Sequence, residues 1–104
     1  MGYDYLYCLT SREVIGLIKV EISGLKPSYI YDFMDKIRCP DGKFHKFYNM
    51  EHGNFKNCAG AEDFIVNFLI NAGGINKGNG FYEVNHYGSV VEAMSETKKV
   101  FPEW

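Results

Sequence analysis

The sequence predicts an α+β fold: a small, mostly antiparallel sheet of three to four strands flanked by helices, in the order ββαβαβα. Three observations predict it. Two β-prone segments at the N-terminal end are separated by only a short polar stretch, the pattern of a hairpin. Two later segments carry apolar residues at helical spacing. Two short strand-like runs each follow one of those helical segments.

The first strand is the aromatic-rich run Tyr3-Asp4-Tyr5-Leu6-Tyr7-Cys8-Leu9, whose residues have high β propensity. Thr10-Ser11-Arg12-Glu13 is polar and connects it to the next. From Ile15 to Ile22 the pattern alternates, with Ile18, Val20 and Ile22 on one face and Leu17, Lys19 and Glu21 on the other. Ser23-Gly24 ends that strand. Pro27 suits the first turn of a helix, where its missing N–H costs nothing. Ile30, Phe33, Met34 and Ile37 then follow at i, i+3, i+4 and i+7, the stripe of an amphipathic helix. Cys39-Pro40-Asp41-Gly42 reads as a turn.

Lys43 to Met50 reads as a third strand, and Glu51 to Asn57, with Gly53 and Asn54, as a loop. Ala61, Phe64, Ile65, Phe68 and Leu69 form the second helical stripe, which Gly73-Gly74 ends. Ile75 to Asn79 reads as a Gly/Asn-rich loop before the short strand Phe81-Tyr82-Glu83-Val84. Ser89 and Glu92 have capping-box spacing, so a last helix is expected from there to about Phe101.

With 104 residues there is room for one domain, residues 1–104, with one core and no need of disulfide staples. No apolar run approaches the roughly 20 residues of a membrane span, and no signal-peptide pattern is present. Three cysteines, an odd number, make a poor disulfide framework and fit an intracellular, reducing compartment. Net charge is −2, not that of a dedicated nucleic-acid binder. The charge is uneven, however. Six bases face four acids between Lys26 and Lys56, whereas six acids face three bases from Glu62 onward. Local fields rather than net charge steer a polyanion. Eight tyrosines, eight phenylalanines and a tryptophan suit stacking on bases and protein interfaces alike.

Gly2-Tyr3-Asp4-Tyr5-Leu6-Tyr7, followed by Ile15-Gly16-Leu17-Ile18-Lys19-Val20-Glu21-Ile22-Ser23, resembles the opening hairpin of the GIY-YIG nuclease superfamily. The closer likeness is to its phage and large-DNA-virus, DNA-binding branch, which opens with "GYVYxL" and "PGLVKIGxT". Glu62-Asp63-Phe64-Ile65-Val66 and Gly80-Phe81-Tyr82-Glu83-Val84 fall where that branch has "EKxxH" and "REFF". The likeness covers most of the chain and is specific over about the first 23 residues. It implies a host cytoplasmic or nuclear location for a viral protein.

The resemblance also implies an active-site set. Tyr5 falls on the tyrosine that helps to activate water, Lys19 on the second-motif position, and Glu62 on the glutamate that binds a divalent metal. Phosphodiester cleavage needs such parts: an activator, a cation and a Lewis acid. The sequence departs from the pattern at several places. Ile30 stands near the phosphate-steadying helix arginine, and Glu21 replaces the second-motif glycine. Val66 and Gly80 replace the histidine and the acidic residue of the later motifs. A lysine such as Lys26 or Lys36 lacks the planar fork of the absent arginine. The expected protein is therefore a catalytically degenerate domain, with Tyr5, Lys19 and Glu62 as remnant positions. It is expected to bind nucleic acid on the old catalytic face through Lys19, Lys26, Arg38, Lys43 and Lys46, with no cofactor.

Two alternatives stand beside it. One is an active endonuclease using Mg²⁺ on Glu62. The other is a protein-interaction module or homodimer that does not bind nucleic acid. The remaining candidate residues read as structural. Taken singly, Tyr5 reads as part of a packed aromatic face, Lys19 as a solvated strand lysine and Glu62 as a first-turn helix acid. Cys39, His45, His52 and Cys58 lack the close ligand spacing of a zinc site and read as packed or surface residues. Cys8 reads as a buried strand cysteine.

Overall fold

Alternation in the first two segments decides the sheet. The computed structural model describes residues 4–104, so Gly2 and Tyr3 of the expected motif lie outside the described residues. Strand β1 (Tyr5–Ser11) pairs antiparallel with β2 (Leu17–Ser23), Tyr5 opposite Ser23 and Leu9 opposite Lys19. Leu6 and Cys8 point to one face with Ile18 and Val20, and Tyr7 and Leu9 point to the other with Leu17. Both faces are apolar here, so both must be covered.

The first face is covered by two long helices, α2 (Cys58–Asn71) and α3 (Tyr87–Val100). Ala61, Ile65 and Leu69 of α2 recur at the spacing that aligns one helix face, and Val90, Ala93 and Met94 of α3 join them over the sheet. Phe64 and Phe68 of the expected stripe are half-buried at its margin. Asn57 caps α2, its side chain accepting the Gly60 N–H at 3.0 Å.

The second face is covered by shorter pieces. Pro27–Tyr29 form a 3₁₀ turn, followed by the five-residue helix α1 (Tyr31–Asp35). A two-stranded hairpin, β3 (Ile37–Arg38) and β4 (Phe44–His45), comes next. Ile30, Met34, Ile37 and Cys39 pack from these pieces onto Tyr7, Leu9, Leu17, Phe47 and Phe81. The Tyr7 hydroxyl donates to the Leu25 carbonyl at 2.6 Å and pins the start of this cover to the sheet. One such bond is worth about 1 kcal/mol.

Strand β5 (Phe47–Gly53) adds to the free edge of β1, and β7 (Phe81–Glu83) to β2. Strand β6 (Ile75–Gly78) adds to β7, so the order is β5-β1-β2-β7-β6, antiparallel throughout. Among the described residues no helix is long and apolar enough to cross a membrane.

The α+β class is as expected, but the sheet is larger than three to four strands and the order is ββαβββαββα. Four local readings change. The expected strand Lys43 to Met50 divides into β4 and β5, and β5 runs on through Glu51-His52-Gly53 of the expected loop. The apolar stripe Ile30, Met34, Ile37 is shared between the end of the 3₁₀ turn, a short helix and a strand, because Lys36 is extended at φ −142° and ψ 102°. Ile75 to Gly78 is an edge strand rather than a loop. Asn79 and Gly80, at φ 54° and 82°, make the tight turn that returns it to β7. Tyr87 rather than Ser89 begins α3. His86 is its N-cap without a side-chain bond, so the Ser89–Glu92 spacing does not act as a capping box.

The Asn79-Gly80 turn can be tested alone. A Cβ at Gly80 would meet the Val20 carbonyl oxygen at 3.0 Å as well as the positive φ. Gly80→Ala is expected to cost about 1–2 kcal/mol, or on the order of 5–10 °C in Tm for a domain of this size. Thermal unfolding followed by circular dichroism checks it; an unchanged Tm contradicts the turn.

Candidate functional site

The cover on the second face does not reach across all of β2 and β7. It leaves a groove of about 360 Å³ lined by Lys19, Glu21, Phe33, Lys36, Ile37, Arg38, Asn79 and Phe81. The groove continues into a hollow of about 390 Å³ along Arg38, Cys39, Pro40 and Gly42, which shares Asn79 and Phe81. Local structure explains the lining. Ile37 turns inward to the core, so its extended neighbours Lys36 and Arg38 turn outward together. Helix α1 divides its side chains. Phe33 lies on the groove, with Lys36 just beyond the helix, while Tyr31, Asp32 and Asp35 line a separate hollow of about 640 Å³ with Arg12, Lys46 and Tyr48.

Lys19 is held from three sides. Its Nζ lies 3.1 Å from Glu21 Oε1, donates to the Asn79 carbonyl at 3.1 Å, and sits 4.7 Å from the centre of the Phe81 ring. Lys36 and Arg38 have no ion-pair partner among the described residues, and the Arg38 guanidinium lies 5.9 Å from the Phe44 ring centre.

Tyr5 and Lys19 lie on neighbouring antiparallel strands and the same face. Their register separates them by four positions, roughly 13 Å along the strands. Tyr5 instead stacks on Tyr7, 5.9 Å between ring centres, and meets His52 edge-on at 6.5 Å. Tyr7, opposite Glu21, is occupied by Leu25; burial first and then Tyr5 push its hydroxyl up to about 12.

Glu62 does not open its helix. Helix α2 starts at Cys58, so Glu62 falls beyond the first turn, where the helix dipole has little hold on it. Burial raises its carboxyl above the usual range, and Asp63 and Glu21 add to this against Lys19. Glu62 sits on the helix that covers the first face, whereas Lys19 and Glu21 line the groove on the second, and Tyr5 stands apart from both.

Of the expected phosphate contacts, Lys19 and Arg38 line the groove. Lys46 lies in the separate hollow, its Nζ 5.6 Å from the Tyr48 ring centre, with the Arg12 guanidinium 4.4 Å from the same ring. Lys26 and Lys43 are exposed and line neither the groove nor that hollow. Phe33, Lys36 and Asn79 were not among the expected contacts. Alternation in Lys36-Ile37-Arg38 and the Asn-Gly turn were the signals that could have found them.

A second cluster sits at the turn of the β3–β4 hairpin. Ligand atoms of Cys39, Asp41 and His45 lie within 4.8 Å of one another. His45 Nε2 is 3.1 Å from Asp41 Oδ2, and its Nδ1 is 3.4 Å from Glu13 Oε2. Asp41 and then Glu13 raise the His45 pKa against burial. Asp41 and Glu13 are both held below the usual carboxylate range, first by the Lys43 and Lys46 backbone N–H groups respectively and then by His45. Burial, then Asp41 and Glu13, push the Cys39 thiol up. His52 and Cys58, the other residues of the discounted zinc set, lie elsewhere: His52 on β5 and Cys58 at the start of α2.

No protein-family model matches the chain, and neither a search of curated proteins nor one of solved structures finds a match.

His52 supplies a pH test of the Tyr5–Tyr7–His52 packing. Its Nδ1 lies 3.0 Å from Asn49 Nδ2, an arrangement that suits a neutral ring accepting the amide proton. Burial, then Lys98, lower its pKa below the ordinary 6.5. The unfolded chain takes up this proton first, so stability present above about pH 6.5 is lost as pH falls through the lowered folded value. His52→Gln is expected to reduce the fall in Tm between about pH 7.5 and 5.5. An identical fall in wild type and variant contradicts the assignment.

Proposed function

We propose that this domain binds single-stranded nucleic acid in the Lys36–Arg38 groove and does not cut it, as a catalytically degenerate GIY-YIG-like domain. The observation that carries the reading is the run from Phe33 to Phe44. Phe33 on the groove is exposed, Phe44 beside Arg38 is 57% exposed, and Lys36 and Arg38 stand between them in the chain, while Tyr31, also exposed, faces the other hollow. Large rings left in water next to unpaired cations suit a strand whose bases stack and whose phosphates need counter-charges. Arg38 near the Phe44 ring adds a flat cationic surface of the same kind. The acids of α1 line the other hollow, which leaves Glu21 as the groove's one carboxylate, already paired with Lys19.

Binding without cleavage is supported by two features. Ile30, near the position of the family's arginine, is completely buried in the second-face core, so no cation works from there. Tyr5 is roughly 13 Å along the strands from Lys19, too far for both to act on one scissile phosphate.

The test is fluorescence anisotropy of a labelled oligothymidylate across a salt series. Two phosphate contacts give a shallow slope, roughly −0.7 per contact. Lys36→Glu with Arg38→Glu should weaken binding at least about tenfold and flatten the slope. Phe33→Ala with Phe44→Ala should weaken binding by about 1–3 kcal/mol per lost stack and leave the slope in place. No binding at about 50 mM salt favours the protein-interaction reading instead. Mg²⁺- or Mn²⁺-dependent cutting that Glu62→Ala abolishes favours the endonuclease.

A further inference from the structure

We propose that Cys39, Asp41 and His45 form a zinc site at the turn of the β3–β4 hairpin, with Glu13 holding the histidine from outside. The inference does not depend on nucleic-acid binding.

The donor set selects the metal. One thiolate, one imidazole and one carboxylate match a borderline-soft cation that favours four ligands, and Zn²⁺ is the common one. Mg²⁺ and Ca²⁺ take oxygen ligands and do not suit a sulfur–nitrogen pair. The spacing is compatible with a tetrahedral ion. With bonds of about 2.0 Å to N and O, two such ligands stand roughly 3.3 Å apart. His45 Nε2 and Asp41 Oδ2 are 3.1 Å apart already. The Cys39 sulfur lies within 4.8 Å of the other ligand atoms and has at most about an ångström to move to reach its bond of roughly 2.3 Å. Its present contact is weak, a thiol donating to the Ile37 carbonyl at 3.5 Å.

The ligands are oriented by the backbone. The Asp41 carboxylate accepts the Lys43 N–H on Oδ1 at 2.9 Å, which turns Oδ2 toward His45. Cys39 N–H donates to Lys43 O at 2.8 Å and Gly42 N–H to Cys39 O at 2.9 Å, closing the turn that carries both residues. The register Ile37 opposite His45 brings the histidine back beside them. Glu13 is fixed in the same manner: Oε1 accepts the Lys46 N–H at 3.1 Å and Oε2 faces His45 Nδ1 at 3.4 Å. Nδ1 has no hydrogen bond at this distance; a small turn of the ring as Nε2 takes the metal brings Nδ1–H onto the carboxylate, the outer-shell arrangement that fixes the tautomer and makes a histidine a better ligand.

Three protein ligands leave a fourth position for water. The ion binds beside a small hollow of about 110 Å³ that Cys39 and Asp41 line with Leu17, Val14 and Lys77. Binding forms Zn–S, Zn–N and Zn–O bonds and releases the thiol proton, together with any proton on Nε2, to solvent. Nothing is oxidised or reduced. Cys8 on β1 and Cys58 at the start of α2 are buried in the first-face core and take no part.

The test uses chelator-treated full-length protein titrated with Co²⁺, then with Zn²⁺. One equivalent of Co²⁺ should give tetrahedral visible bands and a thiolate-to-cobalt charge-transfer band, both removed by Zn²⁺. Cys39→Ser should lose the charge-transfer band while Cys58→Ser keeps it. Glu13→Gln should weaken binding by roughly 10–100-fold with the same spectrum. In case Cys39→Ser fails to fold, hydrogen exchange on wild-type protein gives a second reading: Zn²⁺ should slow the amides of residues 38–45 and leave α2 and α3 unchanged. Absence of a stoichiometric cobalt spectrum, a charge-transfer band that survives in folded Cys39→Ser, or unchanged exchange at 38–45 overturns the site.

Discussion

The structure depends on one strand being dry on both faces. Leu6, Tyr7, Cys8 and Leu9 of β1 are consecutive, alternate between faces, and are all completely buried. A sheet with such a centre cannot leave either side to water. The C-terminal half covers one side with two fourteen-residue helices, α2 and α3. The other side falls to the segment between β2 and β5, which has only a 3₁₀ turn, one short helix and a two-stranded hairpin to do it with. Ile30, Met34, Ile37 and Cys39 are its anchors, and Tyr7 reaches Leu25 to hold its leading end.

A cover made of small pieces has margins, and the groove and the Cys39–Asp41–His45 cluster lie there. Every inward residue of the segment has an outward neighbour that the sheet does not bury. Ile37 is flanked by Lys36 and Arg38, Met34 is preceded by Phe33, and Cys39 is followed by the turn that carries Asp41. Charge on the margin is fixed rather than diffuse. Lys19 is spent on Glu21 and Asn79, so the field of the groove comes from Lys36 and Arg38. Asp41 and Glu13 each give one oxygen to a backbone N–H and turn the other to His45.

The sequence was most legible where one periodicity ran unbroken. The two faces of β1 and β2 and the α2 stripe through Ala61, Ile65 and Leu69 follow from spacing alone. It was least legible where a pattern fitted more than one backbone. Ile30, Met34 and Ile37 have helical spacing, yet the chain meets that spacing with three different short elements, because only their shared inward direction matters to the sheet. The Asn79-Gly80 pair was readable as a hairpin turn, but the polar, glycine-containing edge strand before it hid the hairpin. The hairpin cluster was hidden for a chemical reason. Cys39 and His45 are too far apart for a paired-cysteine pattern, and the residue that joins them is an aspartate. The separation of Tyr5 from Lys19 is a matter of register, which no single-strand pattern contains.

The thin second-face cover is the proposed binding surface. Amide chemical-shift mapping of the folded domain with an unlabelled oligothymidylate tests it most directly. Shifts are expected to be confined to residues 31–45 and 76–82, with α2 and α3 silent. Shifts centred on α2 and α3, or none at all at low salt, would contradict it.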